Sequence, residues 1–332
     1  MKLIFRLLVV LVWFSSCDDG DFTIDSFDFS GATANSCNSG ASGFFVYKIN
    51  GSEVLLVQLP ENLFVNEITP PNTPRTQTIS SSNRVIYRLY SGAVNTGVLC
   101  TNIPPANPSV VNEWLATAGT IEVTTTANRS VNEQDNSSII TGYSHLIVFK
   151  NINFDKGNGS QQLFTELNFG SYVTNVAPPA SFVDLNVNRC GSSTDFLFKI
   201  SGTQALTLRT APGLFENQIT QPGSPRTALI DTNNSLALSY YSDNINAIFM
   251  CSQPTPSIPT LSQLWQADFG VSGQSGLIEV VTTEEFQIPT DNQSPLIGYR
   301  HTVVLKNMTL TRNGVSFQLG NAYPFGSFVT SL

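Results

Sequence analysis

The sequence predicts an all-β protein made of two tandem, duplicated β-sandwich domains, Ig-like or jelly-roll-like, each with one short helix. Two observations support this prediction. Apolar residues recur with a period of two and are mostly β-branched or aromatic, and clusters of Asn, Gly, Pro and Ser separate the runs. The second half of the chain then repeats the first half block by block.

The strands of the first copy follow from this alternation in chain order. Because the runs recur at the spacing typical of sandwiches and barrels, we expect roughly seven to nine antiparallel strands in each copy. The runs in the first copy cover residues 44–49, 54–59, 85–90, 121–125, 146–154 and 163–173.

One stretch of each copy departs from the alternation and predicts the short helix. Residues 108–115 and 259–266 space their apolar side chains helically. Ser109 and Thr260 are residue types that cap the first turn of a helix. We therefore expect one helix at this position of each copy.

The repeat divides the chain into two domains of similar length. FFVYKING at 44–51 matches DFLFKISG at 195–202, and GYSHLIVFKN at 142–151 matches GYRHTVVLKN at 298–307. A period of about 150 residues is too long for a solenoid unit, so each copy should have its own core. The predicted domains cover 22–176 and 181–332, with a proline linker at 177–180.

The five cysteines divide into two pairs and one single residue. Cys37 and Cys100 are 63 residues apart, and they recur in the second copy as Cys190 and Cys251, which are 61 residues apart. We expect one disulfide in each copy, since a loop of this length contributes roughly 4 kcal/mol. Metal ligation is the alternative, but neither pair has the CxxC spacing typical of zinc sites. Cys17 is the odd cysteine and needs a separate role.

Residues 1–16 are typical of an export signal peptide. Lys2 and Arg6 supply positive charge before an apolar run of roughly half the 20 residues that a membrane span needs. The run ends at Phe14-Ser15-Ser16-Cys17, which resembles the lipobox of bacterial lipoproteins, with Phe where Leu is usual. The resemblance implies that Cys17 is lipidated and that residues 17–21 form a short tether.

The acidic run Asp18-Asp19-Gly20-Asp21 is similar to the segment after the lipidated cysteine in lipoproteins of the Bacteroidota. In that family such a run is associated with display on the outer face of the outer membrane. The resemblance covers only the first twenty residues or so, and it implies a lipid-anchored outer-membrane protein that faces the cell surface. The periplasmic face and an ordinary secreted protein with unmodified Cys17 are the alternatives.

Net charge restricts the class of partner. The formal net charge of −8 and the pI near 4.7 argue against nucleic acid and against an anionic membrane surface, both of which require clustered Lys and Arg. We expect the partner to be a protein, such as an outer-membrane β-barrel or another lipoprotein, or a neutral glycan.

The residues that could support catalysis form no complete set. His145 and His301 occupy the same position of the repeat, which suggests a metal ligand or a general base. Neither has a second histidine or a carboxylate pair to complete a site, so we expect both to be structural. No GxSxG or glycine-rich phosphate loop is present. The sequence predicts no catalytic residue, no metal and no cofactor.

Other repeated residues have both structural and functional interpretations. The pairs Glu122 with Glu279 and Asp135 with Asp291 suggest glycosidase carboxylates, but surface and turn roles are favoured. Arg75 and Arg226, in repeated Pro-Arg-Thr triplets, are the candidate contact loops, although either guanidinium could instead bind carbonyls of its own loop. Trp114 and Trp265 are expected to pack the predicted helix. Tyr87, Tyr90, Tyr240 and Tyr241 could form a surface for protein or sugar.

These observations favour a non-enzymatic, outer-membrane-anchored lipoprotein that acts as a structural or accessory subunit of an envelope complex. A glycan-binding surface lipoprotein associated with a nutrient transporter is the alternative, since its layout resembles the tandem-domain starch-binding lipoproteins of the Bacteroidota. A hydrolase is the third hypothesis, and it requires His145 or His301 to approach a carboxylate in an open cleft.

Overall fold

The computed structural model describes residues 27–39, 43–184, 186–288 and 293–332. The leader, Cys17 and the acidic run lie outside these residues, and so does Asp291. The chain is predominantly β, with 53% of residues in strands and 4% in helices, and its antiparallel sheets are curled. No helix of the described segments has the length and apolarity needed to cross a membrane.

Nineteen strands follow one another along the described chain. Those of the first half are β1 (Asn35–Ser39), β2 (Gly43–Asn50), β3 (Glu53–Gln58), β4 (Arg75–Thr78), β5 (Arg84–Tyr90), β6 (Val110–Val131), β7 (Ser138–Asp155) and β8 (Gln161–Asn175). Those of the second half are β9 (Asn188–Arg189), β10 (Phe196–Ser201), β11 (Gln204–Arg209), β12 (Arg226–Leu229), β13 (Ser235–Tyr241), β14 (Leu261–Ala267), β15 (Leu277–Phe286), β16 (Leu296–Lys306), β17 (Thr309–Arg312), β18 (Val315–Gln318) and β19 (Tyr323–Ser331).

The strands form three sheets. One has the order β1-β2-β3-β5-β6-β7-β8, with β4 paired to β6. The second has the order β18-β17-β14-β13-β11-β10-β9, and the third has the order β12-β15-β16-β19. Short loops join many of the neighbouring strands, which suits antiparallel pairing.

The predicted position of the helix is wrong. Residues 110–115 begin β6, where Leu115 pairs with Ile86 and Trp114 pairs with Tyr87, and residues 261–266 belong to β14. A short apolar run fits helical and strand spacing alike, and here the backbone pairing with the neighbouring strand decides in favour of the strand. The short α-helices lie earlier in the chain, at α1 (Thr96–Leu99) and α2 (Ala247–Cys251), and a 3₁₀ helix covers Glu61–Phe64.

The chain folds into two compact units. Unit 1 comprises the described part of Met1–Leu59 together with Thr78–Ile121 and Phe149–Phe169. Unit 2 comprises Pro60–Gln77, Glu122–Val148 and Gly170–Leu332. The long strands β6, β7 and β8 supply residues to both units. Unit 2 therefore contains the whole second copy of the repeat and three segments of the first.

Unit 1 buries both faces of its central strands. The four middle residues of β3, Val54 to Val57, are all buried. On one face, the ring of Phe27 stacks on Tyr87 with the ring centroids 4.8 Å apart. On the other face, Phe45 and Tyr47 pack with α1. The core of unit 2 includes Ile140 and Tyr143 of β7 alongside residues of strands between β10 and β19.

Two matched glycines allow neighbouring strands to approach closely. A Cβ atom on Gly298 of β16 would collide with the carbonyl oxygen of Thr330 in β19, and one on Gly142 would collide with that of Thr174 in β8. Glycine is required at such positions because the neighbouring backbone occupies the space that a side chain would take. The close approach matters because both threonines contact a buried histidine.

We predict that Gly298→Ala destabilises unit 2 by roughly 1 to 3 kcal/mol, because the added methyl pushes β19 away from β16. Urea unfolding followed by fluorescence measures the change. Gly31→Ala is the control, since a Cβ there meets open space, and it should leave the unfolding midpoint unchanged. Equal midpoints for the two variants would contradict the prediction.

Candidate functional site

His145 and His301 are fully buried in unit 2, each between two threonines. His145 Nδ1 lies 2.9 Å from Thr125 Oγ1 in β6, and its Nε2 lies 3.1 Å from Thr174 Oγ1 in β8. The corresponding distances from His301 are 3.0 Å to Thr282 and 2.9 Å to Thr330. Both imidazoles therefore have hydrogen-bond partners for both ring nitrogens.

An arginine and an asparagine extend each of these arrangements. Arg75 Nη1 donates to Thr125 Oγ1 at 2.8 Å, and Thr174 Oγ1 donates to Asn66 Oδ1 at 2.6 Å. In the second copy Arg226 donates to Thr282 at 2.8 Å, and Thr330 donates to Asn217 at 2.5 Å. We call these the histidine networks; the first consists of Arg75, Thr125, His145, Thr174 and Asn66, and the second of Arg226, Thr282, His301, Thr330 and Asn217.

The direction of the hydrogen bonds determines the tautomer of each histidine. Because Thr125 Oγ1 accepts from Arg75, its own hydroxyl proton is available for Nδ1 of His145. Because Thr174 donates to Asn66, its oxygen is left to accept from Nε2–H. The imidazole is thus neutral and carries its proton on Nε2, and protonation of Nδ1 would leave the Thr125 hydroxyl without its acceptor.

The pKa values agree with neutral imidazoles. Burial, and then the charge of Arg75, lower the pKa of His145 from 6.5 to about 4. Burial, followed by the charges of Arg226 and Arg189, lowers the pKa of His301 to about 4 as well. A base of such low pKa, enclosed and with both nitrogens engaged, is poorly suited to proton transfer near neutral pH.

The histidine networks contain no carboxylate that could form a catalytic pair. Within the described residues, no group of three or more His, Cys, Asp and Glu side chains could hold a metal ion. Glu122 and Glu279 are half-buried on strands, and Glu279 lies 3.5 Å from Lys306. Asp135 is exposed in a turn, where the backbone N–H of Ser137 lowers the pKa of its carboxyl.

The guanidiniums of Arg75 and Arg226 each donate hydrogen bonds to a backbone carbonyl of a nearby loop. Besides the threonine contact, Arg75 Nη2 donates to the carbonyl of Glu67 at 2.7 Å, and Arg226 Nη2 donates to the carbonyl of Gln218 at 2.5 Å. Arg75 therefore ties a loop to the eight-stranded sheet that contains His145, and Arg226 ties a loop to the four-stranded sheet that contains His301. Their use as partner contacts remains a prediction.

The cysteine pairs form two disulfides. Cys37 is joined to Cys100 and Cys190 to Cys251, with Cα–Cα distances of 5.3 and 5.4 Å. Cys100 follows α1 directly, and Cys251 is the last residue of α2. Each bond thus fastens a short helix to the segment that begins its copy of the repeat.

Trp114 and Trp265 are buried, so neither forms an exposed platform on which a sugar could stack. Trp114 is 4% exposed and packs against Phe27 and Tyr87, while Trp265 is 5% exposed and packs against Phe317. Both residues lie on strands, so the expected packing of a helix by Trp is wrong even though burial is observed.

Two buried lysines were not anticipated from the sequence. Lys48 Nζ donates to the carbonyl of Phe29 at 3.0 Å, and Lys199 Nζ donates to that of Phe182 at 2.6 Å. Burial lowers the pKa of both amines. The sequence does contain a sign of this burial, because a single lysine occurs at the same place in the two apolar runs, YKI and FKI. Each lysine holds the segment that leads into its copy of the repeat.

The open site is a groove in unit 1 whose floor is the sheet β2-β3-β5. Arg84, Ile86, Arg88 and Tyr90 occupy alternate positions of β5, so their side chains point to the same face. Across the strands, Arg84 lies opposite Gln58, which in turn lies opposite Phe45. The floor therefore combines polar side chains with the buried rings of Phe45 and Tyr90.

Helix α1 and the proline-rich loop that follows it form the walls of the groove. The loop lines the cavity with Thr101, Asn102, Pro104, Pro105 and Pro108, and α1 contributes Val98 and Leu99. The groove encloses about 670 Å³, which is within the range of small-molecule and oligosaccharide sites. We call it the unit 1 groove.

The unit 1 groove is locally basic although the protein is acidic. Two guanidiniums line it and no carboxylate does. Arg88 is paired with its cross-strand neighbour Glu113 at 2.6 Å. No described carboxylate forms an ion pair with Arg84, and a guanidinium without an acidic partner readily binds an anionic group. The net charge of the whole chain therefore did not predict a basic groove.

The second copy lacks this arrangement. Ser235 and Ser239 stand at the positions of Arg84 and Arg88, and Arg209 replaces Gln58. The guanidinium of Arg209 lies 4.1 Å from the ring centroid of Phe196, the counterpart of Phe45. In the second copy an arginine therefore stacks on the ring at the position where unit 1 has Gln58 beside Phe45.

No family model, curated protein or solved structure matches the chain. We therefore infer the function from the geometry of the described residues.

We predict that the histidine networks make the protein acid-labile. The unfolded chain takes up protons near pH 6.5, whereas the folded histidines do so only near pH 4. The stability that neutral histidines provide is complete above pH 6.5 and is lost as the pH falls toward 4. Between pH 7 and pH 5 the loss is about 2 kcal/mol for each histidine, as measured by urea unfolding.

The variant His301→Asn removes one of the two groups and should reduce this pH dependence by about half. A wild-type protein that is equally stable at pH 7 and pH 5 would show that the imidazoles are not held neutral.

Proposed function

We propose that this protein is a non-enzymatic binding protein that holds an acidic glycan in the unit 1 groove. The supporting observation is the pair of guanidiniums, Arg84 and Arg88, in a groove without carboxylates. Arg84 is the residue expected to contact a uronate or sulfate group, because Arg88 already has an acidic neighbour.

The composition of the groove favours a glycan over a purely apolar ligand. A sugar ring presents an apolar face and hydroxyl edges, and the groove offers the exposed prolines Pro104 and Pro105 beside a polar group at Asn102. The proline-rich loop gives a stiff wall, which lowers the entropy lost on binding. The enclosed histidines support a role without catalysis.

We also propose that the chain consists of two tandem, duplicated β-sandwich domains, Ig-like or jelly-roll-like. Matching disulfides, histidine networks and buried lysines in the two halves support this interpretation. The boundaries 22–176 and 181–332 belong to this proposal. An experimental structure in which the strands of the two halves do not superpose would count against it.

For the anchor, we propose a lipid on Cys17 that holds the protein in the outer membrane, facing the cell surface, as in lipoproteins of the Bacteroidota. The lipobox-like sequence and the acidic run are the observations that support it.

A second candidate function is that of an accessory subunit bound to an outer-membrane β-barrel or another lipoprotein. Exposed isoleucines favour it: Ile103 in the proline-rich loop of unit 1 is 84% exposed, and Ile258 in the matching loop of unit 2 is 77% exposed. A protein partner that covered these two side chains would remove their apolar surface from water, which favours binding.

We predict that Arg84→Gln weakens binding of an oligogalacturonate about tenfold or more, because it removes a charge-assisted hydrogen bond. Isothermal titration calorimetry measures the affinity. The methyl-esterified oligosaccharide, which is neutral but keeps the sugar rings, should bind the wild type as weakly as the acidic form binds the variant.

Arg209→Gln in unit 2 is the matched control, since this arginine is covered by its stack on Phe196. It should leave the affinity unchanged. No binding of acidic oligosaccharides of any type by folded wild-type protein, or equal binding of ester and acid, would exclude the proposed ligand.

We predict that Cys17→Ala releases the protein from the membrane fraction, since one lipidated residue supplies the anchor.

The double variant Ile103→Ser with Ile258→Ser tests the accessory role. This variant should stay in the membrane fraction but lose any β-barrel or lipoprotein that co-purifies with the wild type from detergent extracts. Membrane retention of the Cys17 variant would contradict the anchor, and the absence of such a partner in wild-type extracts would contradict the accessory role.

A further inference from the structure

Unit 2 also contains a cavity that shares Asn66 with the first histidine network but is lined by neither histidine. It encloses about 330 Å³, and its walls include Tyr143 of β7, Tyr240 of β13, Trp265 of β14 and Phe317 of β18. This volume is at the lower end of the range for small-molecule sites. The occupant must therefore be smaller than an oligosaccharide and must fit an aromatic enclosure.

Two side-chain amide oxygens at the cavity already accept a hydrogen bond from a protein group. Asn66 Oδ1 accepts from Thr174 at 2.6 Å, and Gln263 Oε1 accepts from the indole N–H of Trp265 at 3.3 Å. Their amide NH₂ groups remain, and an amide nitrogen can only donate. A ligand in this cavity consequently meets amide donors, and acceptor atoms on the ligand would pair with them.

Two tyrosine hydroxyls add to these donors. Neither Tyr143 nor Tyr240 forms a side-chain hydrogen bond with any residue that the structure describes, and neither hydroxyl is a fully enclosed atom. Burial raises the pKa of Tyr240 to about 12 and also raises that of Tyr143. Both phenols therefore keep their protons at neutral pH and can donate them to a ligand oxygen.

Arg312 supplies positive charge to the same cavity. Its guanidinium contacts Glu67 at 3.8 Å, and the Glu67 side chain is 49% exposed. A pair this long, with one partner half in solvent, leaves guanidinium N–H groups available for a bidentate carboxylate. Tyr143 lines the same cavity as Arg312. Besides burial, the charge of Arg312 lowers the pKa of the Tyr143 hydroxyl and the charge of Glu67 raises it.

We propose that this cavity binds a small carboxylic acid with an aromatic or branched aliphatic body. The carboxylate accepts hydrogen bonds from Arg312 and the tyrosine hydroxyls, and the body packs against Trp265 and Phe317. The site is separate from the unit 1 groove and does not depend on the proposed glycan function.

Isothermal titration calorimetry of the full chain with phenylacetate tests this proposal, and phenylacetamide serves as the neutral analogue of the same shape. Phenylacetate should bind, and the amide should bind about tenfold more weakly or worse, because it loses the charge-assisted contact with Arg312. Equal affinity for the two compounds, or no binding of phenylacetate up to millimolar concentration, would overturn the proposal.

Three variants test whether phenylacetate binds in this cavity. Arg312→Gln and Tyr240→Phe should each weaken phenylacetate binding about tenfold, whereas Arg312→Lys, which keeps the charge, should lose less. Arg84→Gln in the unit 1 groove should have no effect. Thermal melts without ligand establish that each variant is folded, and folded variants that bind phenylacetate as the wild type does would place its site elsewhere.

Discussion

Unit 2 depends on two imidazoles that remain neutral inside a layer of strands. Each ring is enclosed, each nitrogen has a threonine partner, and an arginine donates to one of those threonines. The second network reaches across all four strands of one sheet, from Arg226 on β12 to Thr330 on β19. A buried polar network of this kind stabilises the fold only while every member is satisfied.

The residues that form the histidine networks are distinct from those that are open to a ligand. The repeated polar residues that first suggest chemistry, His145 with His301 and Arg75 with Arg226, are used to fasten loops and strands. The residues that are open to a ligand differ between the two copies, as Arg84 and Ser235 illustrate. In our interpretation, the duplicated positions maintain the scaffold, and the diverged positions carry the specificity.

Local patterns predicted much of the fold. Period-two alternation predicted the β class, and cysteine spacing predicted both disulfides. The helix was misplaced because residues 110–115 have apolar spacing that fits either structure, and pairing with β5, far away in sequence, decides between them. The alternation of Arg84, Ile86, Arg88 and Tyr90 was visible in the sequence. That α1 and a proline-rich loop would make a groove over this face was not, since it depends on long-range packing.

The most direct test of the neutral imidazoles uses the fact that the chain has only two histidines. Selective ¹⁵N labelling of histidine gives an NMR spectrum with one pair of ring signals from each residue. We expect both rings to be neutral with the proton on Nε2 at pH 6, and to titrate near pH 4. Rings that titrate near pH 6.5, or that carry the proton on Nδ1, would contradict the hydrogen-bond directions on which unit 2 depends.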